Sequence, residues 1–407
     1  MRAKRHLLLV TFFVLSFAFS AFAWNVALGV AGAEVVIGGG TAASCQTNEA
    51  ANLFADAVAA GGVIAFDCGP DPVTIFVNTN VTSQQVTVNG DGLVTLSGEE
   101  LRQIFYVMGT GDLTLNDLVL FDGEAGQGGA IYIEPQATVT LNSSFVTSNH
   151  SSGDGGGIYN RGTLIVHDST LGSNIANTNG GGIFNNGGTV TLHESYLISN
   201  QSQSGGGIYT VNGQVTLDRT AVRSSFISGQ GGGIFVAGNT QITNSTFSNN
   251  RAQQGGALFT VANATILNAT FNENRADQGG AIWREASSTT TVKNSILAGS
   301  LDTNGNIPSL NCDGPSLTSL GRNIISDNTC VPNPSSVGDL LDTDPQLGVW
   351  FGSPLRAYIP AASSPVLDYA LDCPPVDQRG YPRPLGDGCD VGSIERGGVA
   401  YLPVFVK

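Results

Sequence analysis

Residues 180–200 read GGGIFNNGGTVTLHESYLISN, and versions of this pattern occupy the chain from about residue 128 to residue 300. Each of the seven copies begins with glycine, continues with a small or glycine residue, and then has an aliphatic residue followed by an aromatic one. The aliphatic residues lie 24 to 27 positions apart and are Ile131, Ile158, Ile183, Ile208, Ile234, Leu258 and Ile282. Repeats of roughly 20 to 50 residues are typical of solenoids, propellers and arrays.

Each unit favours short β-strands. Val190 and Leu192 alternate with threonines, which is the period-two pattern of a strand with one buried face. Glycine, asparagine and threonine are frequent and weaken any helix in these units. A unit of about 25 residues cannot enclose a core alone, so we expect each to be one coil stacked on the next. The sequence therefore predicts an all-β fold, a single-stranded right-handed parallel β-helix.

Two further rows of equivalent positions follow from this stacking. One row is apolar and is expected to be buried: Val146, Leu171, Leu197, Val222, Phe247, Phe271 and Ile296. The other row lies three positions later and is made of Asn149, Asn174, Asn200, Asn250 and Asn274, interrupted by Ser225. Stacked amides can bond both the corner backbone and the next amide. We therefore expect an asparagine ladder with a structural role.

The repeat divides the chain. Residues 24–125 are predicted to form the N-terminal cap and first coils, residues 126–300 the repeat region, residues 301–396 a C-terminal cap, and residues 397–407 an apolar tail. A capping helix is expected from Thr47 to Ala60, with Thr47 or Asn48 as its N-cap. Its apolar face would cover the first coil and consists of Ala50, Leu53, Phe54, Ala57 and Val58.

The first 23 residues have the pattern of a secretory signal peptide. Residues 2–6 are basic, residues 7–19 are apolar, and residues 21–23 read AFA, a small-x-small cleavage site. A retained anchor is the alternative, because residues 31–33 offer a second cleavage site. No other stretch has 18 consecutive apolar residues, so we expect no transmembrane helix after signal removal. The predicted location is the medium or the cell surface.

All six cysteines lie outside the repeat. In an exported protein, neighbouring pairs at the chain ends are typical of disulfides. The expected pairs are Cys45 with Cys68, Cys312 with Cys330, and Cys373 with Cys389. Because no zinc-type Cys/His spacing occurs, we expect no zinc and no other bound cofactor, although calcium remains open.

The charge of the chain restricts its partners. The full sequence has 17 Lys plus Arg and 32 Asp plus Glu, for a net charge of −15. Nucleic acids and anionic lipids bind through basic surfaces, so neither is an expected partner. We expect a monomer that meets a polysaccharide or a protein partner at a cell surface.

One cluster of ionisable residues suggests chemistry. His167-Asp168, His193-Glu194 and Asp218-Arg219 follow the buried pair on three successive coils. Stacking would place Asp168 and Glu194 about 5 Å apart, a separation that suits the two carboxyl groups of a retaining glycosidase. The alternative is a solvated edge on which Arg219 and the histidines offset the acidic charge. Asp168 and Glu194 are thus candidate catalytic residues, and His167, His193, Asp218 and Arg219 a candidate binding face.

Several motifs resemble known families. The glycine-rich anchors, with Phe247-Ser248-Asn249-Asn250 and Phe271-Asn272-Glu273-Asn274, resemble the repeats of chlamydial polymorphic outer-membrane proteins and, more broadly, pectin-lyase-like β-helices. Asp377-Gln378-Arg379-Gly380 with the segment from Cys389 to Glu395 is similar to the choice-of-anchor Q type of C-terminal domain. The resemblance implies a secreted or surface-displayed β-helix.

Two functions remain open at this stage. The first is a structural, adhesive or glycan-binding role without catalysis, and the alternative is a lyase or hydrolase acting on acidic polysaccharide. In the C-terminal motif, Asp377, Arg379, Asp390 and Glu395 pose a related choice. They either pair with one another to lock the cap, or form a calcium or attachment site.

Overall fold

The chain forms a parallel β-solenoid of about twelve coils. We describe it from a computed structural model covering residues 34–332, 337–352 and 356–397. Strands of successive coils pair in parallel: Ile158 pairs with Ile183, and Leu164 with Val190. The parallel β-helix predicted from the repeat is confirmed.

The N-terminal coils contain the two helices found in the described residues. They comprise β1 (Glu34–Gly38), α1 (Ala42–Cys45), α2 (Asn48–Ala60), β2 (Gly62–Asp67), β3 (Val73–Phe76), β4 (Thr79–Val81), β5 (Gln85–Ser97), β6 (Phe105–Val107) and β7 (Asp112–Phe121). The next coils comprise β8 (Glu124–Ala125), β9 (Ile131–Ile133), β10 (Thr138–Asn142), β11 (Phe145–Thr147), β12 (His150–Ser151), β13 (Ile158–Asn160), β14 (Thr163–His167), β15 (Thr170–Gly172) and β16 (Ile175–Ala176).

The remaining strands continue the same order. They are β17 (Ile183–Asn186), β18 (Thr189–His193), β19 (Tyr196–Ile198), β20 (Ile208–Asp218), β21 (Ala221–Arg223), β22 (Ile234–Thr243), β23 (Thr246–Ser248), β24 (Leu258–Thr260), β25 (Ala264–Leu267), β26 (Thr270–Asn272), β27 (Ile282–Arg284), β28 (Thr290–Lys293), β29 (Ile296–Ala298), β30 (Cys312–Asp313), β31 (Thr318–Gly321), β32 (Ile324–Ile325), β33 (Leu347–Phe351) and β34 (Ala357–Pro360).

Helix α2 covers the first coils, as the sequence predicts. The Thr47 hydroxyl accepts a hydrogen bond from the Ala50 N–H and caps the helix. Phe54 is fully buried and stacks against Phe66 at 6.0 Å between ring centroids. Ala50, Ala57 and Val58 are also buried, but Leu53 is not: it is 42% exposed, so its assignment to the apolar face was wrong. Leu53 precedes Phe54 at the margin of that face, where the cap meets solvent.

The interior is built from stacked rows. The anchor aliphatic residues pair in register from Ile131 to Ile282 and are fully buried. The second predicted row also pairs in register from Val146 to Phe271, but there the sequence assignment slips by one residue. Phe271 pairs with Leu297, whereas Ile296 pairs with Thr270 and points out of the coil. Ile296 is buried all the same, because it packs in a second apolar cluster with Val366 and Val391.

The anchor aromatics form one continuous stack along eight coils. Neighbouring rings lie 4.3 to 5.3 Å apart, with interplanar angles of 18° or less. The stack consists of Tyr106, Tyr132, Tyr159, Phe184, Tyr209, Phe235, Phe259 and Trp283. The glycine that begins each repeat anchor adopts a φ between 61° and 70° from Gly128 to Gly279, a region that side chains disfavour. The repeated aromatic therefore packs at a tight corner.

The asparagines form two stacked runs. Asn149 donates to Asn174 at 3.0 Å, and Asn174 donates to Asn200 at 3.1 Å. After the interruption Asn250 donates to Asn274 at 3.0 Å. Each amide also bonds a backbone carbonyl of the preceding coil; their acceptors are the carbonyls of Leu120, Val146, Leu171, Val222 and Phe247. These bonds join one coil to the next at a fully enclosed corner.

The chain after the repeat first closes the far end of the solenoid and then runs back along its side. The described residues between 301 and 340 close the far end, where Leu317 and Val331 enter the core beside the Cys312–Cys330 disulfide. The described residues from 345 to 397, here called the return segment, then run back along the side of the coils, and the Tyr358 hydroxyl donates to Glu273 at 2.8 Å. Strands β33 and β34 pair antiparallel within this lateral segment.

The other two predicted disulfides are also present. Cys45–Cys68 joins α1 to the end of β2, and Cys373–Cys389 lies in the return segment. The predicted signal peptide, residues 1–23, and residues 398–407 of the apolar tail lie outside the described residues. Within the described ranges, no helix has the length and apolarity needed to cross a membrane.

The interruption of the ladder predicts an engineered gain in stability. Ser225 is fully buried, and its hydroxyl has no hydrogen-bond partner in the described chain. We expect Ser225→Asn to bond both neighbouring asparagines and to raise the free energy of unfolding by about 1 kcal/mol. The reverse change, Asn250→Ser, should lower it by about 2 kcal/mol. Urea unfolding of both variants measures this, and an unchanged or lower midpoint for Ser225→Asn would contradict the role given to the ladder.

Candidate functional site

The predicted ionisable cluster lies at one corner of the solenoid. His167, His193 and Asp218 end β14, β18 and β20 and pair in register. The residue after each of them turns the corner with a left-handed backbone. Equivalent residues in eight coils have φ between 44° and 53°: Asp117, Ser143, Asp168, Glu194, Arg219, Asn244, Asn268 and Asn294. Asn and Asp tolerate this conformation best, which gives a conformational reason for the polar residues at this position.

Opposite charges meet within the cluster. Arg219 contacts Glu194 at 2.5 Å and Asp218 at 3.5 Å. His193 lies 3.3 Å from Asp218 and 3.7 Å from Glu194, and it also contacts the Arg219 guanidinium. The rings of His167 and His193 meet edge to face, with centroids 5.6 Å apart. The structure thus brings Glu194, Asp218, Arg219 and both histidines together.

Asp168 has a different environment. Partial burial raises the pKa of its carboxyl, while the Arg356 guanidinium of the return segment opposes the rise and Glu194 adds to it. The carboxyl is nevertheless exposed, so water screens these effects and we give the shift no energetic weight. Arg356 itself lies against the Tyr196 ring at 4.9 Å. The return segment thus contacts the coils at Tyr196, and the charge of Arg356 acts on the nearby Asp168 carboxyl.

The side chains at this corner have two chemical interpretations, an acid/base pair or a set of structural ion pairs. A carboxyl with a raised pKa beside a carboxylate held by arginine is the arrangement that separates an acid from a base. His193, Glu194, Asp218 and Arg219 also offset one another's charge as ion pairs, at a corner that requires left-handed residues. Across the described ranges, no three His, Cys, Asp or Glu side chains are grouped so that they could hold a metal ion.

The acidic C-terminal motif is a buried network of ion pairs and backbone hydrogen bonds. Asp377 accepts two hydrogen bonds from the Arg379 guanidinium, at 2.8 and 2.6 Å. Glu395 contacts Arg383 at 3.3 Å and accepts the N–H of Asp390 at 2.9 Å. Arg383 also donates to the carbonyl of Asp390 at 2.7 Å. All of these side chains except Arg379 are at most 7% exposed, so this motif locks the return segment.

A feature that the sequence analysis missed is a groove on the side of the solenoid. It has a volume of about 470 Å³. We call it the lateral groove, and its lining includes Ile175, Asn177, Gln201, Gln203, Phe226 and Arg251. Phe226 is 43% exposed and Ile175 40% exposed, so the groove presents two large apolar side chains to solvent. The sequence held one signal: Phe226 follows Ser225, the residue that interrupts the asparagine ladder.

Comparison with known proteins adds two similarities. Residues 244–261 match the Chlamydia polymorphic membrane protein repeat, at the position of the Phe247 motif. The crystal structure of pectate lyase Pel9A is similar over 91% of this chain and 98% of that chain, with 15% sequence identity and a TM-score of 0.45. No curated protein matches the sequence. The chain is thus a parallel β-helix with a repeat of the polymorphic membrane protein type.

The buried network predicts a pH effect on stability. Burial raises the pKa of Asp390 to about 6, although the N–H groups of Arg396 and Asp368 oppose the rise. An unfolded aspartate has a pKa of about 3.9, so between about pH 4 and 6 the folded protein keeps a proton that the unfolded chain has released. The stabilising contribution of this carboxyl is therefore complete below about pH 4 and is lost as the pH rises through about 6.

Replacement of the carboxyl tests this dependence. Asp390→Asn should flatten the fall in unfolding free energy between pH 4 and 6, by up to about 3 kcal/mol across the window. Urea unfolding at several pH values measures the slope, whatever the absolute cost of the change. Asp372→Asn is the matched control, because the Asp372 side chain is 88% exposed. Equal slopes for the Asp390 variant and the parent protein would rule out a raised pKa at Asp390.

Proposed function

We propose that this protein is an exported, surface-associated β-helix that binds a glycan without cleaving it. The observation that carries the proposal is the lining of the lateral groove, where amide, hydroxyl and apolar side chains lie together. Such side chains recognise hydroxyl groups and apolar surfaces, whereas glycan cleavage uses carboxyl groups. The name of the matching repeat, a membrane protein repeat, and the three disulfides support export to the surface.

The alternative is a lyase or hydrolase that acts on acidic polysaccharide at the Asp168 corner. The observation that favours it is the raised pKa of Asp168 beside Glu194. Glu194 is instead ion-paired with Arg219, and the charge of Arg356 acts on Asp168, so both carboxyl groups have electrostatic partners within the fold. The choice-of-anchor Q resemblance of the C-terminal motif remains a prediction, as does the signal peptide.

One experiment separates binding from cleavage. The full mature protein, with its disulfides intact, is incubated with neutral and acidic polysaccharides, with and without calcium. We expect retention on at least one polysaccharide and no release of reducing ends or unsaturated products. An Asp168→Ala, Glu194→Ala double variant should bind equally well, because neither residue lines the groove.

Two results would contradict the proposal. Product release that disappears in the double variant would make the protein an enzyme and place its site at the Asp168 corner. Failure to bind any polysaccharide in the panel would remove the glycan-binding function itself.

A further inference from the structure

The lateral groove lies where the backbone pairing between two coils is missing over a short stretch. On this side of the solenoid, successive coils are joined by short bridges from Ile175 to Gln201 and from Phe226 to Arg251. Between Gln201 and Phe226 the described backbone has no such bridge and no hydrogen bond. Ser225, the residue before this gap, lacks the amide that joins the coils elsewhere. The groove therefore opens beside Ser225, where the asparagine ladder is interrupted.

The floor of the groove offers apolar contact. Phe226 and Ile175 stand on either side of Gln201, in consecutive coils. Both are exposed, and polar side chains surround them, so the groove offers a small apolar surface with a polar rim. An exposed aromatic side chain can pack against the C–H groups of a sugar ring as it does against other apolar surfaces.

The polar groups around this floor suit hydroxyl groups. Gln201 makes no side-chain hydrogen bond within the described chain, so its amide is free to donate and to accept. Gln203 is held in place, because its amide donates to the Asn177 carbonyl at 2.8 Å. Arg251 is exposed and has no acidic partner in the described ranges. Together these groups supply several donors and at least two acceptors beside the apolar floor.

The charge of the chain and the spacing of its coils restrict the class of ligand further. The groove lining contains no Asp or Glu among its described residues, yet the whole chain carries a net charge of −15. That field repels a polyanion before contact, so an uncharged polymer meets a smaller barrier. Successive coils repeat at about 4.8 Å, a distance close to the length of one sugar unit. A chain of sugars lying along the solenoid axis would meet one coil per unit.

We propose that the lateral groove binds a neutral polysaccharide chain, with Phe226 packing against a sugar ring and Gln201 bonding its hydroxyl groups. The gap at Ser225 is the feature that makes room for it. This assignment rests on the proposed glycan-binding function and adds to it the contacting residues and the class of glycan.

The test compares exposed phenylalanines at different places on the full mature protein. The probes are soluble xyloglucan, galactomannan and dextran, with polygalacturonate and alginate as acidic polymers, and affinity is measured by calorimetry or affinity electrophoresis. We expect Phe226→Ala and Gln201→Ala each to weaken binding of a neutral polymer by at least about tenfold. Circular dichroism and thermal unfolding confirm that each variant is folded.

Two matched controls locate the site. Phe145→Ala removes a phenylalanine that is 51% exposed outside the groove. Phe76→Ala removes one that is 52% exposed and lines a separate cavity of about 580 Å³ beside α2. Both variants should bind within about twofold of the parent protein, because neither phenylalanine lines the lateral groove. A twofold change in affinity corresponds to well under 1 kcal/mol.

The outcomes distinguish the two proposals. Neutral binding that survives Phe226→Ala, or that Phe76→Ala abolishes, overturns the lateral site and leaves the glycan-binding function standing. Binding only to polygalacturonate or alginate, with a steep dependence on salt, overturns the neutral class. The absence of binding to any of the five polymers overturns the proposed function, and the lateral site with it.

Discussion

In-register stacking of one coil on the next is the constraint on which this structure depends. Parallel backbone pairing places residues about 25 positions apart directly above one another, as Leu171 lies above Leu197. The residues at one position of successive coils therefore form a row along the solenoid axis, here called a column. A column favours side chains that can pack against copies of themselves. Aliphatic, flat aromatic and amide side chains do so, and these fill the interior, the anchor corner and the ladder.

Departures from the columns are where individual features arise. Ser225 interrupts the column of asparagine amides. Just after that corner, the backbone pairing between Gln201 and Phe226 is missing. His193, Glu194 and Arg219 bring charged or ionisable side chains into columns that also hold asparagine and serine, and these side chains offset one another's charge. Ile296 faces outward but is covered by the return segment. Thus the repeat supplies the scaffold, and its exceptions supply the groove and the lateral contacts.

The sequence was most informative where periodicity decides the structure. The repeat interval, the buried rows and the capping helix could be predicted because each reflects a local pattern of apolar residues. The slip from Leu297 to Ile296 arose because both residues are aliphatic and a one-residue shift reverses which side chain is inside. The return segment and the approach of Arg356 to Asp168 involve residues nearly 190 positions apart, which no local pattern encodes. The lateral groove was hidden for a similar reason, since Phe226 alone resembles any other apolar residue.

The central claim is that a gap in coil pairing creates a glycan site, and amide hydrogen exchange tests it most directly. In the free protein, the amides of residues 201–203 and 226–228 should include some that exchange faster than the amides of residues 251–253, which are all hydrogen-bonded, because no bond joins Gln201 to Phe226. Added neutral polysaccharide should slow exchange in these two segments. Uniformly slow exchange in the free protein, or protection confined to the Asp168 corner, would contradict the account.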